Sequence, residues 1–294
     1  MSKRILVIGS VAIDTTIFTK ELPQAGVTTL ADSYMTNVGG KGANQACASA
    51  FLGGEVSFIG AVGDDDTGRF IQKFLKEQGL NAHLKISKNP TGVAYIVLDE
   101  TCGENRILIV QGANVDVQIE DIDKYSDLFN EGDILLTQFE NSIETVEHVI
   151  KKAHEHKMTV VVNPAPYKKI DEECYKYIDY LVPNEHEAKL LTGKSSVEMA
   201  VMELLDKGIK NVIVTLGENG SALFSKEKFI KVEPYKVDAI DTTAAGDSYL
   251  GAFVTKLADG KDVKEAMEFA SQASSLTVTK KGAIISLPHL ADLK

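Results

Sequence analysis

Arg4-Ile5-Leu6-Val7-Ile8-Gly9 sets four apolar residues in unbroken succession and then stops at glycine. A strand with one wet face would alternate polar and apolar side chains. An unbroken run instead belongs to a strand covered on both faces, as in a parallel sheet. The signature returns at Glu55–Gly63, Asp133–Gln138, Met158–Asn163, Tyr180–Pro183 and Asn211–Gly217. Helical patterns lie between these runs. Thr67–Gln78 places Phe70, Ile71, Phe74 and Leu75 on one stripe, with Asp66 as the cap candidate and Gly79 as the stop. Ser142–Lys157, Glu185–Thr192, Val197–Gly208, Gly246–Ala258 and Asp262–Thr279 follow suit. Strands separated by helices of this length predict an α/β fold, three layers α/β/α around a mostly parallel central sheet.

Two stretches break the rhythm. Thr91–Glu100 and Asn105–Gln111 flank a turn at Thr101-Cys102-Gly103-Glu104 with no helix between them, the pattern of a β-hairpin. Asp14–Phe18 and Thr28–Tyr34 read as a second short pair, joined through Pro23 and Gly26. Together they predict a small β-sheet projecting from the body, which stands either as ordinary edge strands or as a lid. The body then comprises 1–13, 37–90 and 110–294, and the small sheet 14–36 and 91–109.

Composition narrows the function. A net charge of −11 with only three arginines leaves no cationic stripe to neutralise phosphates, so nucleic acid is excluded as a partner. The longest uncharged stretch, Gly42–Gly54, reads Gly-Ala-Asn-Gln and is no apolar span, so no membrane segment is expected. Asp14 cuts short the apolar stretch after Lys3 and Arg4, and no small-residue cleavage site follows it. The start therefore reads as a strand, not a signal peptide, and the protein as cytoplasmic. Cys47, Cys102 and Cys174 show neither metal nor redox spacing.

The segment richest in chemistry is Asp241-Thr242-Thr243-Ala244-Ala245-Gly246-Asp247, leading into a helix. Small residues let a ligand approach the backbone, and a helix N-terminus offers unpaired N–H groups to an anion. Asp247 stands either as a capping carboxylate or as a base for an acceptor hydroxyl beside a moving phosphoryl group. Val38-Gly39-Gly40-Lys41-Gly42-Ala43-Asn44-Gln45 precedes a small-residue helix at Ala46–Phe51. It reads either as a strand-to-helix turn using glycine or as a loop whose Lys41 and Asn44 hold a hydroxylated ligand. The dinucleotide fingerprint fails there, because the pattern counted from Gly40 ends on Gln45 rather than glycine, which removes a nicotinamide-linked oxidoreductase. Gly193-Lys194-Ser195 mimics the end of a P-loop, but Ala188 stands where glycine is needed and a helix precedes it. Asn184-Glu185-His186-Glu187 is a capping box. The histidines show no metal spacing.

In order along the chain, Gly9-Ser10 with Asp14, Gly39 to Gln45, Gln138-Phe139-Glu140, Asn163-Pro164-Ala165-Pro166, Pro183-Asn184-Glu185, Thr215-Leu216-Gly217, Asp241 to Asp247 and Lys281-Gly282-Ala283 resemble the motifs of the ribokinase-like carbohydrate kinases of the phosphofructokinase-B type. The resemblance implies ATP-dependent phosphorylation of D-ribose at its 5-hydroxyl, with ATP, Mg2+ and K+. It implies Asp247 as catalytic base, with Ala244, Ala245 and Gly246 as the anion hole. Asp14, Gly40, Lys41, Asn44 and Glu140 fall where the family holds its sugar; Asn184, Thr215, Gly217, Gly220, Gly246 and Ser271 fall where it lines the nucleotide site. Asp241, Thr243, Thr277, Lys280, Gly282 and Ser286 match its potassium loop, and Glu187 its magnesium- and phosphate-linked acid. The small sheet corresponds to the family's lid, through which a homodimer commonly forms. One departure stands out: the family usually reads Gly-Ser-x-Asn-x-Asp after the first strand, and here Ala12 replaces that sugar-contacting Asn. This implies looser selection at one hydroxyl and keeps 2-deoxyribose, another pentose or ketohexose, or a nucleoside open as substrate. A non-catalytic sugar- or nucleotide-binding protein is the rival from another class.

Overall fold

Successive side chains of the first strand, β1 (Ile5–Ile8), enter opposite layers: Ile5 and Val7 join one apolar cluster, Leu6 and Ile8 the other. That is what an unbroken apolar run requires, since each face of the strand must be covered. The computed structural model describes residues 2–99, 101 and 105–293. In chain order the elements are β1, β2 (Ala12–Thr19), β3 (Ser33–Gly39), α1 (Lys41–Phe51), β4 (Val56–Gly63), α2 (Asp66–Glu77), β5 (Asn81–Ser87), β6 (Gly92–Asp99) and β7 (Asn105–Val110). They continue through α3 (Ile119–Asp123), β8 (Ile134–Gln138), α4 (Ile143–Glu155), β9 (Thr159–Asn163), β10 (Tyr180–Leu181), α5 (Glu185–Thr192), α6 (Val197–Asp206) and β11 (Asn211–Thr215). The order closes with β12 (Ser221–Ser225), β13 (Phe229–Val232), α7 (Ala245–Ala258) and α8 (Val263–Thr277).

Among the described residues the large sheet runs β13-β12-β11-β10-β9-β8-β1-β4-β5, parallel from β11 to β5 and antiparallel at β12 and β13. Helices α1, α2, α7 and α8 pack with one apolar cluster, and α4 and α6 with the other, which makes three layers α/β/α. Each fully buried Leu or Ile contributes about 1.5–3 kcal/mol. The smaller sheet runs β3-β2-β6-β7, with β2 and β6 parallel and both outer pairs antiparallel. No helix among the described residues is long and apolar enough to cross a membrane.

Local departures have physical causes. The cap of α2 is Asp65, not Asp66. Asp65 is the residue in extended backbone, and its carboxylate accepts the Gly68 N–H at 2.7 Å as well as the Thr91 N–H at 2.8 Å and hydroxyl at 2.7 Å. The partner of β2 begins at Ser33 rather than Thr28, because the pairing of Ala12 with Gly39 through Phe18 with Ser33 consumes the length of β2. Helix α1 starts at Lys41, five residues before Ala46. Strands β5, β12 and β13 lack an unbroken apolar run. The turn residues Cys102, Gly103 and Glu104 lie outside the described residues. Cys47 and Cys174 are free and buried, and burial pushes their thiols up to about 12 and about 11, which leaves them unreactive.

Candidate active site

In an open parallel sheet the crevice opens where strand order reverses, beyond the carboxyl ends of the strands. Here β1 lies between β8 and β4; the chain beyond β1 and β8 carries Ser10 and Glu140, and β9 ends on Asn163. Two helix starts face that crevice, and their N–H groups differ in what they meet. At α1 the N–H of Lys41 donates to Glu140 Oε2 at 3.0 Å, that of Gly42 to Ser10 Oγ at 3.4 Å, and that of Ala43 to the Ser10 carbonyl at 2.9 Å. At α7 the Ala245 N–H reaches the Thr242 carbonyl and the Ser248 N–H the Ala244 carbonyl. The Gly246 and Asp247 N–H groups are left without a protein acceptor among the described residues. The start of α1 is therefore already satisfied by protein, and the start of α7 is the one that can take an anion.

The backbone is shaped for this. Ala244 caps α7 at φ 59°, ψ 9°, a left-handed conformation that a residue bearing a Cβ adopts only under constraint. A Cβ added at Gly246 would meet nothing within 4 Å, so the first turn faces open space. At the other end of the crevice, Gly40 turns β3 into α1 at φ 90°. A Cβ on Gly39 would fall 2.0 Å from Asp14 Oδ2, so the Asp14 carboxyl lies directly over that glycine.

Asp247 sits in the first turn of α7 but does not cap it. It is 6% exposed, and its Oδ2 accepts the Asn44 side-chain amide at 2.9 Å while Oδ1 accepts that of Gln45 at 2.8 Å. The capping alternative is set aside by these partners, which belong to another helix. Asn44 Oδ1 is buried without a partner among the described residues, an acceptor left for a hydroxyl donor. Four carboxylates attract Lys41 and hold its ammonium above the ordinary lysine range against burial, Asp247 most strongly, then Glu140, Glu187 and Asp14. Asp14 is pushed up to about 7 by burial first and then by Glu140 and Asp247, with Lys41 opposing. The structure thus gathers Asp14, Lys41, Asn44, Glu140 and Asp247 around one crevice.

The remaining candidates lie around it. Asn184 and Glu187 form the expected capping box, at 2.8 Å in each direction, while the Glu187 charge also reaches Lys41. Asn184 bridges to Thr215 at the ends of β10 and β11, with Gly217 just beyond. Ser271 is on α8, one turn before Ser274, whose hydroxyl donates to the Ala245 carbonyl at 3.0 Å. Gly220 has a packing reason of its own: at φ 84° a Cβ there would fall 2.1 Å from the Val232 carbonyl oxygen. Asp241 accepts the Thr243 and Gly282 N–H groups, each at 2.9 Å, and the Lys280 N–H reaches the Thr277 carbonyl; Ser286 is buried nearby in sequence. Sequence reading gave no individual role to Ser10, whose hydroxyl donates to Glu140, nor to Gln45, Asn114 or Asn163. Asn114 clamps the Val11 backbone, pairing with both its N–H and its carbonyl at 2.9 Å, just before Ala12. Ala12 is 8% exposed and shares a strand face with Asp14.

The pfkB family carbohydrate kinase profile matches residues 2–290. A ribokinase of Schizosaccharomyces pombe is 39% identical over 98% of this chain and 96% of its own. A deoxyribokinase of Salmonella typhi is 35% identical over 97% and 96%. The structure of Arabidopsis thaliana ribokinase complexed with ribose and ATP superimposes with a TM-score of 0.89 at 32% identity, covering 100% of this chain and 98% of that one. With a family match over nearly its whole length and relatives aligned end to end, the chain belongs to the pfkB family of carbohydrate kinases.

Proposed function

We propose that this kinase transfers the γ-phosphate of ATP to the 5-hydroxyl of D-ribose in the cytoplasm, giving D-ribose 5-phosphate, with Asp247 as general base. One observation carries the reading: a buried carboxylate, held on both oxygens by amides, stands in the same helical turn as the two unsatisfied N–H groups of α7. The sugar lies against Asp14, Gly40, Lys41, Asn44 and Glu140. Asp247 accepts the proton of the attacking hydroxyl, and the free N–H groups of Gly246 and Asp247, rather than that of Ala245, which the Thr242 carbonyl already holds, meet the charge on the moving phosphoryl group. Asn184, Thr215, Gly217 and Ser271 border the nucleotide, and closure of the small sheet excludes water as a competing acceptor.

Two cations belong to this reading. Magnesium would be carried on the nucleotide's phosphates, with Glu187, whose charge reaches Lys41 in the crevice, acting at a distance. Magnesium supplies neutralisation of phosphate charge. Asp241 already ties the 241–243 and 282 loops together, and with Thr243, Thr277, Lys280, Gly282 and Ser286 it offers an oxygen-rich set of low charge suited to potassium. The small sheet also supports a homodimer: strand β7 is an edge, and Leu108 is 70% exposed on it beside exposed Ile107, Ile109 and Val110.

A second reading, 2-deoxyribose as substrate, is favoured by Ala12 and by the deoxyribokinase relative. Ala12 leaves one hydroxyl unmatched, a contact worth about 0.5–1.5 kcal/mol. The test is ATP-dependent ADP release across ribose, 2-deoxyribose, fructose, adenosine and pseudouridine, with magnesium and potassium present. A ribose maximum supports the first reading and a 2-deoxyribose maximum the second. Calorimetric sugar binding with no ADP formed overturns both. Ala12→Asn is expected to tighten ribose roughly two- to tenfold, the range that one such hydrogen bond supplies, and to leave 2-deoxyribose unaffected. An unchanged ribose KM and kcat/KM removes Ala12 from the account of specificity.

A further inference from the structure

Gln45 is fully buried on α1 and touches no solvent, yet its side chain reaches three polar groups. Its Nε2 donates to Asp247 Oδ1 at 2.8 Å and approaches Asn163 Oδ1 at 3.5 Å; its Oε1 accepts the Gln138 amide at 2.6 Å. Asn163 is itself oriented, because its amide donates to the Val182 carbonyl at 3.1 Å. The polarity of this chain is forced from one end. A carboxylate oxygen can only accept, so the NH2 of Gln45 faces Asp247 and its oxygen faces away. Gln138 must then present its own NH2, and its Oε1 is left in the interior without a partner among the described residues. Reversing the chain would satisfy that oxygen but set a carbonyl against the carboxylate.

We propose that Gln45, oriented by Gln138, is a positioning residue for phosphoryl transfer that fixes the plane of the Asp247 carboxylate. The inference rests on Asp247 being the base. Asn44 anchors one oxygen, and a single anchor leaves the carboxylate free to rotate about its Cβ–Cγ bond. Gln45 anchors the other, which turns the remaining lone pairs toward the acceptor hydroxyl. A base must stand about 2.6–3.2 Å from the oxygen it deprotonates, so a swing of this group is felt in the chemical step and not in substrate affinity. The packing of β1 agrees with this: a Cβ at Gly9 would fall 2.0 Å from Gln138 Oε1, so Gly9 leaves room for the Gln138 amide to lie flat across the strand end.

The test is a double-mutant cycle on kcat with the full-length kinase, using Gln45→Met, Asp247→Asn and the pair, with thermal midpoints recorded. Gln45→Met is expected to lower kcat roughly 10- to 100-fold, the scale of a misplaced reacting group. The KM values for sugar and ATP should stay within about twofold, and the substitution should cost nothing further on the Asp247→Asn background. Gln138→Met, which keeps Gln45 but removes its orienting donor, is expected to show a smaller fall with the same cancellation, and it decides alone if Gln45→Met does not fold. An unchanged kcat, or an equal loss on both backgrounds, overturns the positioning role. Should Asp247→Asn itself keep near-normal kcat, the base assignment falls first and takes this inference with it.

Discussion

Asp247→Asn should lower kcat by about 10²–10⁴-fold, the usual share of a general base, while KM for ATP and sugar changes little. The amide has nearly the shape of the carboxylate: its oxygen can keep the Gln45 bond, and its NH2 can donate to Asn44 Oδ1 once that side-chain amide turns over, so the buried network can persist. It cannot take up the hydroxyl proton. Steady-state rates with sugar and ATP varied separately would check this. A mutant that turns over within a few-fold of the parent would show that the hydroxyl loses its proton elsewhere, and Asp14 and Glu140 would be next in line. The prediction is sharp because, among the described residues, Asp247 caps no helix and forms no ion pair. Lys41 feels its charge, but the groups that touch its oxygens are neutral amides.

The second large effect is on pH dependence. Burial, reinforced by Glu140 and Asp247, pushes Asp14 up to about 7, so the ligand-free crevice holds a proton there in mildly acid solution. A sugar whose hydroxyls donate to the Asp14 carboxylate must displace that proton. The sugar KM should therefore rise as pH falls below about 7, by about tenfold per unit for one linked proton, and level off above it. Asp14→Asn should flatten the profile and leave KM high throughout. The sign for stability is the same linkage read without ligand. A folded-state value above the ordinary 3.8 favours the fold at low pH, and that contribution is lost as pH climbs toward about 7. Saturating sugar should offset the loss, which a melting series with and without ribose would reveal. A sugar KM flat across that window would remove Asp14 from the binding account.

What the sequence disclosed, and what it withheld, follows from how each feature is encoded. Strands β1, β8 and β9 were legible because both of their faces are buried, which leaves an unbroken apolar run. The start of α5 was legible because a capping box is local, with both partners inside four residues. β5 reads Asn-Ala-His-Leu-Lys-Ile-Ser and carries no such run, so it went unmarked. The cap of α2 was misplaced by one residue because three consecutive aspartates, Asp64 to Asp66, look alike until the backbone selects one. At the site, the glycines and the Asp247 segment could be singled out from spacing, but their roles came from family resemblance. That Asn44 and Gln45 grip Asp247 is a tertiary fact, and no local periodicity carries it.

That grip has a consequence in time. Asp247 lies 203 residues beyond Asn44 and 202 beyond Gln45. A ribosome extending the chain at about 5–20 residues per second delivers the two halves of the pair roughly ten to forty seconds apart. Through that interval the nascent chain has made Asp14, Lys41 and the amides that will hold the carboxylate, but not the carboxylate or the start of α7. If Asp247 is the base, a chain halted before it should transfer no phosphate.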